Sequence, residues 1–166
     1  MTPPCLVIGL GSPDRGDDAI GPMVARRVAD LALTGITVLE HEDPTGLIEI
    51  WSGAELVVVV DAVRSGAAPG TVLVLEAGDE SELLADQAWA RTGRGGTHAF
   101  GLAAAVELAR ALHRLPARLV LVGVEAAAFA HGSALSVPVA EAVDSVVAAV
   151  VDVVAPRAMA VPDSAQ

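Results

Sequence analysis

Two adjacent carboxylates, Asp17 and Asp18, close the glycine-rich stretch GSPDRGDDAIG that runs from Gly11 to Gly21. An apolar run, a glycine-rich loop and a helical pattern follow one another here, an order that commonly cradles a phosphate. The Walker pattern matches as far as Gly11 and Gly16 and then breaks, because Asp17 stands where the lysine belongs. The dinucleotide fingerprint fails at Asp14, where it requires glycine. Carboxylates repel phosphate and attract cations. A helix start needs only one short acidic cap for its free N–H groups. Capping therefore accounts for one aspartate, and both readings of the pair stay open on residue type. Asp17 is taken as the cap or as a supporting residue, and Asp18 as the cation ligand.

Asp61 directly follows four valines, Val57 to Val60. A carboxylate at the end of a buried strand is costly unless it is paired, hydrogen-bonded or on a metal. The alternative is an ordinary loop aspartate facing solvent. His98 follows Thr97, a residue able to cap the helix predicted over 98–114. The positive end of that helix disfavours imidazolium and keeps His98 in the neutral form that ligates metals. A single histidine taken alone is more commonly structural or exposed. Taken together, Asp18, Asp61 and His98 offer two carboxylates and an imidazole with an open position. That set suits a divalent first-row metal used in hydrolysis.

Other polar residues rank lower. His41, Glu42 and Asp43 form a cluster before Pro44 that reads as a solvated turn and is also placed to line the same cleft. Glu125, after the last strand, is a weaker candidate for that cleft. His113 and His131 read as exposed, and Trp51 and Trp89 as packing residues. Cys5, the only cysteine, reads as a core residue at the start of a buried strand. With one cysteine no internal disulfide forms, which fits a reducing cytoplasm.

The elements that must position these groups are legible as alternating patterns. Short β-branched runs at 6–8, 36–39, 56–60, 71–75 and 118–122 predict five strands, with 56–60 central. Helical patterns fall at 18–33, 45–53, 98–114 and 138–155. The βαβ alternation predicts an α/β fold with a mainly parallel sheet between two helical layers. Runs such as Leu56 to Val60 are apolar at every residue, as strands covered on both faces are. Ligands of such sheets bind at the carboxyl ends of the strands, where Asp18 and Asp61 fall. The 166 residues are 53% hydrophobic with a net charge of −11. That charge argues against nucleic acid, which demands clustered basic residues. The apolar stretch from Val137 to Ala155 carries Glu141, Asp144 and Asp152 at helical spacing, so an amphipathic helix is expected and not a membrane span. Residues 1–155 are expected to form one domain and 156–166 a flexible tail.

The segments LVIGLGSPDRGDDAIG, VVVVDAVRSGAAPGTV and THAFGLAAAVELARAL with the later PARLVLVGVE together resemble the nickel–iron hydrogenase maturation endopeptidases. The likeness runs from about residue 5 to 152, in order and with compatible spacing. It implies a three-layer α/β/α sandwich around a twisted five-stranded sheet. It also implies an endopeptidase that removes a short C-terminal extension from the hydrogenase large-subunit precursor after nickel insertion, and a cytoplasmic monomer is expected. In that family an acidic residue of the first loop, an Asp after a middle strand and a His bind metal. Those positions are Asp18, Asp61 and His98 here, and the nickel would arrive with the precursor. Ser12 replaces a common Asn, HEDPT from His41 to Thr45 replaces an Asp-Gly-Gly-Thr segment, and Ala126 replaces a common Pro. A nickel-checking module without cleavage and a nucleotide-dependent oxidoreductase are the alternatives. Cleavage itself has two routes, a metal polarising the scissile carbonyl or an aspartate activating water.

Overall fold

A computed structural model describes residues 3–78 and 97–158, with the side chains of 97–100 outside that description. Five strands form one sheet: β1 (Cys5–Leu10), β2 (Thr37–His41), β3 (Leu56–Val63), β4 (Val72–Glu76) and β5 (Arg118–Glu125). Their spatial order is β2-β1-β3-β5-β4, so β3, with its all-apolar run Leu56 to Val60, is central as its sequence predicts. Four strands run parallel, and β4 is an edge strand antiparallel to β5. Among the described residues four α-helices cover the sheet: α1 (Ile20–Asp30), α2 (Leu47–Trp51), α3 (Thr97–Ala111) and α4 (Val137–Ala158).

Strand alternation divides β3 between two cores. Leu56, Val58, Val60 and Ala62 pack with residues of α1 and α4. Val57, Val59 and Val63 pack with residues of α2 and α3, including the fully buried Trp51. The sheet is thus the middle of three layers, and burial on both faces explains its unbroken apolar runs. Helix α4 turns Val139, Val143, Val146, Val150 and Val154 inward, while Glu141, Asp144 and Asp152 stay exposed. Among the described residues no helix is long and apolar enough to cross a membrane.

Several boundaries differ from expectation. The pattern at 18–33 resolves into a 3-10 turn, Gly16–Ala19, followed by the shorter α1. The first turn tightens there because Gly9 and Gly21 bring β1 and α1 into backbone contact. A Cβ on Gly21 would lie 2.2 Å from the Leu10 carbonyl oxygen. The pattern at 45–53 likewise splits into a 3-10 turn, Pro44–Gly46, and a short α2. Strand β3 continues three residues past Val60, held by pairing of Asp61, Ala62 and Val63 with Gly123, Val124 and Glu125. Helix α4 runs through Pro156 to Ala158, beyond the expected start of the tail. Trp89 and residues 159–166 lie outside the described residues.

Candidate active site

The order of strands places a switch point between β1 and β3. The chain leaves β1 toward β2 on one side and returns to β3 on the other, so the connections diverge and a crevice opens at the carboxyl ends. Asp18 and Asp61 stand at this crevice. Gly11 begins the turn out of β1 at φ +135°, and a Cβ there would meet the Asp18 carbonyl oxygen at 2.2 Å. Only glycine combines that backbone angle with that approach. The 3-10 turn then sets Asp18 with its N–H on the Arg15 carbonyl at 3.1 Å. Its Oδ2 accepts the Ser12 N–H at 2.8 Å, and the residue is 3% exposed.

Asp61 lies inside β3 and not in a solvent-facing loop, and it is fully buried. Strand alternation sets it on the face of Val57, Val59 and Val63, the face covered by α2 and α3. Its partner across the ladder is Gly123, which places no side chain beside the carboxylate. Among the described residues neither Oδ1 nor Oδ2 has a hydrogen-bond partner. Burial raises the Asp61 pKa well above the ordinary carboxylate value, and the nearby Asp18 charge raises it further. The Ala62 N–H offsets this in part without reaching hydrogen-bond geometry. A buried carboxylate with no partner takes up a proton or a cation. The pair therefore fits a cation arriving from the crevice.

His98 is the second residue of α3, whose first turns pack on the 3-10 turn Pro44–Gly46 after β2. Gly101, one turn on, is so close to Pro44 that a Cβ would lie 3.1 Å from its Cγ. The His98 side chain and the expected Thr97 cap lie outside the description. Among the described residues no group of three or more His, Cys, Asp or Glu gathers closely enough to hold a metal.

Asp17 is not a helix cap. Its fully buried carboxylate accepts the N–H groups of Ala127, Ala128 and Ser136 at 2.8, 3.0 and 2.7 Å, and the Ser136 hydroxyl at 2.8 Å. Burial alone would raise its pKa, but these four bonds together outweigh burial and lower it. Asp17 thus fastens the β5–α4 loop to the first loop. Glu125 does not face the crevice either. It accepts the N–H groups of Ser65 and Gly66 and the Ser65 hydroxyl, closing the turn after β3. Cys5 is buried at the opposite end of β1, and burial pushes its thiol pKa up, as a packing role requires.

The crevice opens into a groove of about 580 Å³. Ser12 and Arg15 line it from the first loop, Glu42 and Asp43 from the end of β2, and His131 from the β5–α4 loop. The cluster before Pro44 is therefore divided. Glu42 and Asp43 reach the groove, while His41 serves the turn, with Nδ1 accepting the Asp43 N–H at 3.1 Å and its ring against Gly46. His131 is exposed as expected, yet it borders the groove. Sequence reasoning passed over Arg15. The available signal was its place as the only cation within the loop that carries Asp18.

The family model HycI, hydrogenase maturation protease, matches residues 42–153, well over half of the chain. The chain belongs to the hydrogenase maturation protease family. The match takes in Asp61 and His98 and begins beyond Asp18. Solved structures extend the likeness over the first loop and agree on the fold. The hydrogenase maturating endopeptidase HybD from E. coli is 23% identical, with 95% of this chain and 94% of that one covered at a TM-score of 0.71. An endopeptidase from Escherichia coli is 20% identical over 92% of this chain and 93% of its own, at 0.77. The NiFe hydrogenase maturation protease HybD from Thermococcus kodakarensis is 20% identical over 92% and 99%, at 0.63. Comparison with curated proteins gives no match. As a member of its family the protease is a peptide-cutting hydrolase that acts in hydrogenase maturation.

Proposed function

We propose that this protease removes the C-terminal extension of a nickel–iron hydrogenase large-subunit precursor, and that it reads the nickel carried by that precursor. Asp18, Asp61 and His98 are the residues that would face the metal. The observation that carries this reading is the Asp61 carboxylate, fully buried with both oxygens unpartnered beside a second carboxylate. An arriving cation would favour the ionised form of Asp61, so Asp61 would release its proton when the metal-bearing precursor docks. His98, in the first turn of α3, would complete the set. Such an open site reads a metal that belongs to the substrate, unlike the closed four-ligand site of a structural zinc. A lone, buried cysteine supports a reducing compartment, and we place the enzyme in the cytoplasm as a monomer.

Intact mass of the large subunit tests the reading. Nickel-loaded precursor should lose its extension on incubation with the purified protease, and metal-free precursor should stay whole. Equal shortening of both would overturn nickel recognition, and shortening of neither would overturn the assigned substrate.

A further inference from the structure

The groove contains a cation that no described residue neutralises. All ten basic residues are arginine in a chain of net charge −11, so acidic partners are plentiful. Among the described residues, Arg26, Arg27, Arg110, Arg118 and Arg157 each pair with a carboxylate. Arg64 lies over the Phe129 ring, 4.8 Å from its centroid, and Arg114 is exposed to solvent beyond the end of α3. Among the described residues Arg15 finds no side-chain hydrogen bond or ion pair, and its Nε is shut off from solvent with no partner there. A partly desolvated guanidinium favours a planar, bidentate acceptor such as a carboxylate.

The surroundings fix where that acceptor sits. The first loop is joined to the β5–α4 loop by three backbone bonds, from Gly16 to Ser133, Asp17 to Ala128 and Gly132 to Asp14. The four Asp17 bonds add to this junction, so Arg15 and His131 belong to one braced wall of the groove. The end of β2 supplies the acidic residues Glu42 and Asp43. An anion is attracted to the first wall and repelled by the second, which gives the groove a direction. The bond from the Asp18 N–H to the Arg15 carbonyl sets the guanidinium one tight turn from Asp18. A separation on the order of 10 Å spans about three residues of extended peptide.

We propose that Arg15 is a specificity residue that grips a carboxylate of the bound precursor a few residues from the scissile bond. This rests on the precursor being the substrate, as argued above. The carboxylate is either an acidic side chain near the cut or the free C-terminus of the extension.

Steady-state cleavage of nickel-loaded precursor by wild type, Arg15→Gln and Arg15→Lys tests the assignment. Arg15→Gln should raise KM about tenfold or more, as expected for a lost charged hydrogen-bonded pair, with kcat within about twofold of wild type. Arg15→Lys should fall between, since it keeps charge without the fork. Two altered precursors separate the sources. In one, acidic side chains near the cut become amides; in the other, glycines added at the C-terminus displace the terminal carboxylate. The precursor that loses the anchor should show the raised KM with wild type and no further rise with Arg15→Gln. An unchanged KM for Arg15→Gln would overturn the assignment, as would equal sensitivity of both enzymes to both altered precursors. If wild type cuts no precursor, the proposed substrate activity falls, and precursor affinity by fluorescence anisotropy decides about Arg15. A tenfold weaker Kd for Arg15→Gln would support the anchor, and an equal Kd would overturn it.

Discussion

Asp61→Asn should make the metal-free protease more stable while abolishing its activity. The wild-type carboxylate is fully buried, lacks a partner on either oxygen and faces the charge of Asp18. Its native pKa is therefore raised, and the folded chain holds a proton that the unfolded chain releases near pH 4. Stability then falls as pH rises from about 4 through the raised native value, and levels off above it. Protonation limits this cost, because each pH unit above the ordinary carboxylate value contributes about 1.4 kcal/mol. The ceiling at pH 7 is thus about 4 kcal/mol. The asparagine amide carries no charge but is itself buried without a partner, at a cost of about 1–3 kcal/mol. The net gain at pH 7 is therefore at most about 3 kcal/mol, and each kcal/mol raises Tm by about 2–4 °C in a chain of this size. Scanning calorimetry between pH 4.5 and 8 measures the gap directly, and it should widen with pH. A variant that melts at or below the wild-type temperature at pH 7 would refute the argument, as would a gap that does not change with pH.

Asp17 should behave in the opposite sense. Asp17→Ala removes four hydrogen bonds to the β5–α4 loop and should cost about 2–4 kcal/mol in urea unfolding at pH 7. Because its native pKa is lowered, its contribution is complete above the ordinary carboxylate value and fades as pH falls through the native one. The two proteins should therefore converge in stability under acid, and a constant difference down to pH 2 would contradict this. Folded Asp18→Asn, Asp61→Asn and His98→Ala should each lose most cleavage of nickel-loaded precursor, with double changes adding little, as members of one unit do. Circular dichroism controls for folding, and near-normal cleavage by any one variant removes that residue from the site.

The sheet was legible because burial on both faces leaves runs such as Leu56 to Val60 with no other explanation. Strand ends were less so. Asp61 looked like the first loop residue, since a charge ends an apolar run in sequence. Ladder pairing with Gly123 is what keeps it inside β3, and pairing across distant segments leaves no local trace. Glu125 misled for a related reason. Its partners, Ser65 and Gly66, lie 60 and 59 positions away, so a turn clamp and a cleft ligand look alike in the chain. Arg15 illustrates the reverse. Its meaning depends on the partners it lacks, and a sequence lists residues without saying which of them are paired.

Asp17 and Asp18 share one 3-10 turn, in which successive side chains leave the axis about 120° apart. That geometry lets neighbouring carboxylates take different work. Asp17 turns toward the β5–α4 loop and fills with hydrogen bonds, whereas Asp18 accepts the Ser12 N–H and lies near enough to Asp61 for its charge to act there. Capping explained one aspartate in sequence and left one over, and the structure assigns neither to a cap. The first carboxylate stabilises the wall, and the second raises the proton affinity of Asp61. A chain selected for stability alone would not set two carboxylates together with one of them unpartnered in its central strand. On the proposed nickel-reading function, their retention is what the site requires, because an internal counter-ion would occupy the place of the incoming cation.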